Sequence, residues 1–282
     1  MGSAALLLNS PRYPTELLTD LDDDLVHLVG LMTAPVDGAN LLDRLLHVEY
    51  SESTFIRARR AKENQYRGLD VLCKAEMIFV SITQSFNATR KTFRRRGVTR
   101  RDYMERNAMN LPAVYRRLQG VHVRKMDCVD VVRRVYSNSN AFVFLDVPYR
   151  WELRAEGARA VYGYEMDMAH HVRLLNACKN AKCCIMLCGY RQENGKDLYD
   201  EVLGVGQTDS QWRHYTLAKL KKTCQTKTER DVATETIWVN YQLPDIARYF
   251  INEREGNPDH EGWASSHAGI ILPETSMRLN SI

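Results

Sequence analysis

The sequence predicts an α/β fold: a mostly parallel, Rossmann-like sheet that carries a helical insert. Three observations point there. The run Ala141-Phe142-Val143-Phe144-Leu145 is too short for a helix and suits a strand buried on both faces, and Cys183-Cys184-Ile185-Met186-Leu187-Cys188 is a second such run. Acid-led amphipathic segments lie between the apolar runs, as expected of helices that cross over a parallel sheet. Charge is also unevenly spread. Residues 51–117 hold 16 Lys and Arg against 6 Asp and Glu, a net of +10, so the rest of the +4 chain is acidic by 6. The expected organisation is a body formed by residues 1–50 and 118–250, a helical basic insert at 51–117, and a polar tail at 251–282.

Each element has a local reason. Ala4 to Leu8 reads as a short helix ended by Pro11 and Pro14, and Glu16 to Asp20 as a short strand closing on an acid. Asp22, Asp23 and Asp24 open a helix from Leu25 to Met32, because first-turn acids complement the helix dipole. Residues 35–117 are expected to be mostly helical. Leu41, Leu42, Leu45 and Leu46 form one apolar stripe; Leu72, Ala75, Met77, Ile78 and Val80 lie on a helix of about 69–85; a further helix covers about 110–118. Gly120 breaks the chain before a strand at Val121-His122-Val123, and a helix from Val129 to Val135 follows Asp127. After the Asp146 strand come a helix from Glu165 to Lys179, the cysteine-rich strand with Gly189 as its turn, and a short helix from Tyr199 to Leu203. Strands near 214–217 and 236–241 are expected to pair as a hairpin.

Composition narrows the class. At 282 residues the chain buries one substantial core, or a core plus a small subdomain. No apolar run approaches a membrane span. Seven cysteines without framework spacing indicate free thiols in a reducing, cytoplasmic compartment. Cys183 and Cys184, adjacent on a strand, point to opposite faces and cannot share a tetrahedral zinc; His170 and His171 lack a spaced third ligand and are expected as a surface or groove pair. No metal site is expected.

The basic segment is densest after Ser85, where ten Lys and Arg stand against two acids and Phe86, Phe93 and Tyr103 are interleaved. A solvated helix face has the same composition. The alternative that exploits both charge and aromatics is contact with double-stranded DNA through Arg90, Lys91, Arg94, Arg95, Arg96, Arg100 and Arg101.

Asp146-Val147-Pro148-Tyr149 follows the first apolar run. Alone it is equally an ordinary strand stop, since Asp and Pro end strands. With its flanks it resembles the Asp-Pro-Pro-Tyr motif of Dam-like DNA adenine methyltransferases, phage relatives included. Arg117 to Val123 with Asp127, the segment Tyr164-Glu165-Met166, the strand end Cys188-Gly189-Tyr190, and Glu235 to Tyr241 are similar to the family in the same order. The resemblance covers roughly residues 1 to 250.

The resemblance implies an S-adenosylmethionine-dependent methyltransferase of a bacterial or phage-infected cell, with a Rossmann-like sheet. It implies that the Asp146 carboxylate and the Val147 carbonyl accept hydrogen bonds from the adenine amine, that Pro148 stiffens the turn, and that Tyr149 stacks on the base. It assigns Asp20 to the cofactor ribose, Asp127 to its adenine, and Gly2 and Ser3 to the tail of the glycine loop. Two departures follow. Val147 replaces a proline, adding an N–H that needs a partner. The family's first strand, central in its sheet, has no counterpart ahead of Gly2. The strands flanking that place are therefore expected to pair directly, or to await a partner chain, with weak cofactor binding as the consequence. A catalytically inactive DNA-binding relative is the alternative. Methylation of an RNA or protein amine is a third reading, and the basic insert disfavours a protein substrate.

Overall fold

The computed structural model describes residues 4–95, 97–154, 163–192, 195–221, 232–248 and 251. Gly2, Ser3, Arg96 and nearly all of the 251–282 tail lie outside the described residues.

The first half is helical around one short strand. It contains α1 (Ala5–Asn9), β1 (Leu17–Asp20), α2 (Asp23–Met32), α3 (Pro35–Leu46), α4 (Glu52–Glu63), α5 (Val71–Thr83) and α6 (Arg100–Leu118). The second half alternates: β2 (His122–Lys125), α7 (Cys128–Val135), β3 (Phe142–Leu145), α8 (Met168–Cys178), β4 (Cys184–Arg191), α9 (Leu198–Leu203), β5 (Arg213–Lys221) and β6 (Val232–Val239). Side-chain caps explain the helix starts. Asp22, Ser51, Asp70, Asp127, Asp167 and Asp197 each accept from a first-turn N–H, and Thr99 with Asp102 forms a capping box on α6.

The strands form two sheets. β1 and β2 pair in parallel, Leu17 opposite His122 through Asp20 opposite Lys125. The other sheet has the order β3-β4-β6-β5, with β3 parallel to β4 and the last two strands antiparallel. Among the described residues no strand joins β1 to β3, and the two do not pair with each other. The edge of β3 facing away from β4 is thus open.

Helices cover one face of the larger sheet. Val143, Leu145, Ile185, Leu187 and Trp238 pack there against α7, α8 and α9 through Val132, Leu174, Leu175 and Leu203. The opposite face carries a thinner cluster of Cys188, Ile237, Val239 and Leu243. Here the structure corrects the sequence reading. β3 is not buried on both faces: Phe142 and Phe144 are 52% and 38% exposed, because only the thin cluster, through the edge of Tyr241 on Phe142, reaches their side of the sheet. β4 also continues through Gly189 to Arg191, since Gly189, Tyr190 and Arg191 pair with Thr236, Glu235 and Thr234. Asn240 secures the start of β4: its Oδ1 accepts from the Ile185 N–H at 2.7 Å and its Nδ2 donates to the Cys183 carbonyl at 2.8 Å.

A separate helical core joins Leu28, Met32, Leu41 and Leu45 to Ala58, Ile78, Tyr103 and Leu118. The core of the helical part therefore includes α2 and α3 as well as residues 51–117. Gly38 permits this packing, because a Cβ there would lie 2.8 Å from the Met32 carbonyl and 3.0 Å from the Tyr115 ring. Among the described residues no single helix is long and apolar enough to cross a membrane. Together α2 and α3 reach that length and composition, but they bend by 105° at their junction and bury their apolar residues in this core.

Candidate functional site

The motif sits where β3 ends beside the continuing β4. β3 stops at Leu145, Asp146 follows at its carboxyl end, and Val147 turns inward to join the core. The Tyr149 ring meets Tyr190 of β4 edge to face, with centroids 4.7 Å apart, and its hydroxyl donates to Glu235 Oε1 of β6 at 3.3 Å. The wall of the site is thus made by Asp146, Tyr149, Cys188, Tyr190 and Glu235.

Its electrostatics follow from that wall. Asp146 keeps solvent access. The neighbouring protein nevertheless strips water from its carboxyl and raises its pKa, against the lowering influence of the Tyr149 hydroxyl. Burial likewise raises Glu235, and the charge of Asp146 adds to the rise. The Cys188 thiol is pushed up to about 12 by burial and by both carboxylates, so it is a neutral wall rather than a nucleophile.

Of the two arginines after the motif, Arg154 holds Tyr149 and Arg150 braces Tyr190. Arg154 Nε donates to the Tyr149 carbonyl at 2.5 Å, and Arg154 pairs with Glu165 at 2.9 Å. Arg150 is buried in an ion pair with Asp197, lies 5.2 Å over the Tyr199 ring, and donates to the Tyr190 carbonyl at 3.5 Å. Asp197 is fully buried and also caps α9 through the Tyr199 and Asp200 N–H groups. α9 is tied to the sheet through Asp200, which accepts from Arg191, His214 and Trp238.

The two acids expected at the cofactor lie at the carboxyl ends of β1 and β2. Asp20 Oδ1 accepts from the Asp22 N–H at 2.9 Å. Asp127 caps α7 through Val129 N and pairs with His170 Nε2 of α8 at 2.9 Å. Beside them an open cleft of about 710 Å³ is lined by Leu21, Lys125, Met126, Asp127, Asp130, Arg133 and Arg134. Asp127, Cys128 and His170 bring three metal-capable atoms within 4.8 Å of one another, a grouping the sequence spacing hides because His170 comes from another helix. The two histidines, expected as a surface or groove pair, divide: His170 is partly buried against Asp127, and His171 is buried with Nδ1 2.8 Å from the Tyr199 hydroxyl.

The expected DNA-contacting residues divide. Arg90 is spent internally, pairing with Asp22 and Asp24 at 2.9 Å each, which leaves little of its guanidinium for a phosphate. Lys91 is exposed. Arg95, Arg100 and Arg101 pair with Glu52, Glu49 and Glu105 at the surface, where such pairs are weak and exchangeable. Arg94 is partly buried, and its carbonyl accepts from the Tyr50 hydroxyl at 2.5 Å. Of the interleaved aromatics only Phe86 is exposed, at 45%. Phe93 packs on Tyr50 and Phe55, and Tyr103 is buried against Tyr50 with its hydroxyl 2.8 Å from Thr83 Oγ1. These two rings are core, not base-stacking platforms.

In comparisons with known proteins, no family model and no curated protein matches the sequence.

Proposed function

We propose that the chain is a DNA methyltransferase acting on the exocyclic amine of adenine, built as a Rossmann-like catalytic body with a basic helical part that holds the duplex. The observation that carries this reading is the placement of Asp146 and Tyr149 together at the carboxyl end of β3, where Asp146 keeps solvent access. Ligands of open α/β sheets bind at such strand ends.

The amine of adenine is a poor nucleophile because its lone pair is shared with the ring. Acceptors placed on its two hydrogens favour the tetrahedral nitrogen that attacks, an effect of preorganised electrostatics. Asp146 is the side-chain acceptor and the Val147 carbonyl the backbone one. Tyr149, fixed by Arg154 and Tyr190, offers its ring to a base flipped from the duplex. Ionised Asp146 is the competent form, so activity falls as pH drops through its raised pKa.

S-adenosylmethionine supplies an electrophilic methyl group when bound. The residues present fit its adenosine end: Asp20 is an acceptor for ribose hydroxyls, and the cleft beside Asp127 combines the apolar Leu21 and Met126 with a carboxylate. The open edge of β3 and the separation of the two sheets favour one further reading, a DNA-binding relative without activity. Calorimetric titration separates the two. An enzyme binds both S-adenosylmethionine and duplex DNA, more tightly for the cofactor once a strand is supplied between β1 and β3. The inactive relative binds DNA alone in either form.

A further inference from the structure

We propose that Asp127, Cys128 and His170 form a binding site for one zinc ion at the edge of the cleft beside β2, and that zinc held there competes with the adenosine end of the cofactor. The site stands on geometry; the competition rests on the methyltransferase reading.

The three donors come from two helix starts. Asp127 caps α7 and Cys128 is its first residue, while His170 lies in the first turn of α8. His170 Nε2 lies 3.2 Å and 2.9 Å from Oδ1 and Oδ2 of Asp127, and Cys128 Sγ lies 3.9 Å from the Asp127 Oδ1. One donor atom from each residue lies within 4.8 Å of the other two. Zinc bonds of about 2.0–2.3 Å in a tetrahedron set the donors about 3.3–3.6 Å apart, so the set closes on an ion with a shift of about 1 Å. One oxygen, one nitrogen and one sulfur suit zinc, whereas magnesium and calcium take oxygen donors.

Further contacts orient the ligands. The Val129 N–H donates to Asp127 Oδ1 at 2.8 Å, and the His170 backbone N–H donates to Asp167 Oδ1 at 2.7 Å, which fixes the start of α8. All three residues are partly exposed and Asp127 lines the cleft, leaving an entry path and a fourth position for water. Lys125, Arg133 and Arg134 line the same cleft and oppose a cation. Lys125 is paired with Asp23 at 2.7 Å and Arg133 with Asp130 at 3.8 Å, and the site brings a carboxylate and a thiolate of its own. Binding sends the thiol proton to solvent and leaves the His170 ring proton on Nδ1. An ion pair between His170 and Asp127 accounts for two of the three residues and gives the sulfur no role.

The test uses the full chain, with cobalt(II) standing in for zinc. One equivalent is expected to give a sulfur-to-cobalt charge-transfer band and visible bands of tetrahedral intensity, both erased by zinc. Cys128→Ser should abolish the charge-transfer band, and His170→Gln should weaken zinc binding at least ~10-fold against a chelating dye. Circular dichroism reports that both variants are folded. No band in the wild type, a band that survives in Cys128→Ser, or unchanged zinc affinity in His170→Gln overturns the site. Calorimetry then measures S-adenosylmethionine binding with and without zinc. Zinc at about ten times its dissociation constant should weaken that binding ~10-fold in the wild type and have no effect in Cys128→Ser. Equal affinity with and without zinc overturns the competition, while the cobalt result still decides the site. A wild-type chain that binds no S-adenosylmethionine even without zinc refutes the cofactor reading and the competition with it, again leaving the site to the cobalt result.

Discussion

Replacing Asp197 by alanine removes a fully buried carboxylate with several partners at once. Arg150 would be left as a buried guanidinium without its counter-charge, and breaking a buried pair in this way costs about 3–5 kcal/mol. The same change uncaps α9, at about 1 kcal/mol. The sum, about 4–6 kcal/mol, is a large share of the ~5–15 kcal/mol that typically holds a domain together. At about 2–4 °C per kcal/mol for a folded unit of this size, the midpoint should fall by roughly 10–20 °C. Urea and thermal unfolding followed by circular dichroism measure it. The control is Arg150→Met combined with Asp197→Leu, which strands no charge and should recover most of the stability. A single variant that costs less than about 1 kcal/mol, or a double variant as damaged as the single, would refute the argument that a stranded charge dominates.

Other outcomes follow from the same structure. Substituting Lys91, Arg100 and Arg101 together by alanine should reduce the salt dependence of duplex DNA binding by about 0.9 in log–log slope for each phosphate no longer neutralised; an unchanged slope removes them from the interface. Arg90→Ala should instead lower stability by removing the ion pairs to Asp22 and Asp24, although Lys62 stays 3.0 Å from Asp24, and leave that slope as it is, which parallel unfolding and binding titrations check. His171 is held neutral, with its pKa lowered to about 4 by burial and by nearby Arg150, so the unfolded chain binds its proton first. Its contribution is therefore present above pH 6.5 and disappears as pH falls toward 4, by up to about 3 kcal/mol; His171→Phe should flatten that part of the pH–stability curve. Asp146 runs the other way. Its raised pKa favours the fold below the ordinary carboxylate range and opposes it at neutral pH, so Asp146→Asn should be neutral to stabilising at about pH 7.

Much of the fold was legible because its signals are local. The acids at 22 and 127 each cap a helix that the sequence places there, and the apolar runs ending at Asp146 and Cys188 are strands. The less legible features depend on what lies opposite. An unbroken apolar strand does not say whether both faces are covered, which is why Phe142 and Phe144 read as core and stand exposed. Gly189 reads as a turn, yet its pairing with Thr236 is set by a strand far along the chain. Arg90 reads as one of a basic cluster, and its carboxylates lie at 22 and 24. Phe93 and Tyr103 read as interleaved aromatics, and Tyr50 draws both inward. Glu235 did leave a trace: it is a charged residue on the alternation that carries Ile237 and Val239, out of place on an apolar strand face.

The most direct test of the account is the identity of the methylated atom. Duplex DNA is incubated with the chain and S-adenosylmethionine bearing a deuterated methyl group, digested to nucleosides, and analysed by mass spectrometry beside a parallel reaction with Asp146→Ala. Deuterated N6-methyldeoxyadenosine is expected from the wild-type chain and none from the variant, whose fold remains intact. Label on another base, label undiminished in Asp146→Ala, or no label under conditions where both cofactor and DNA are bound would contradict it.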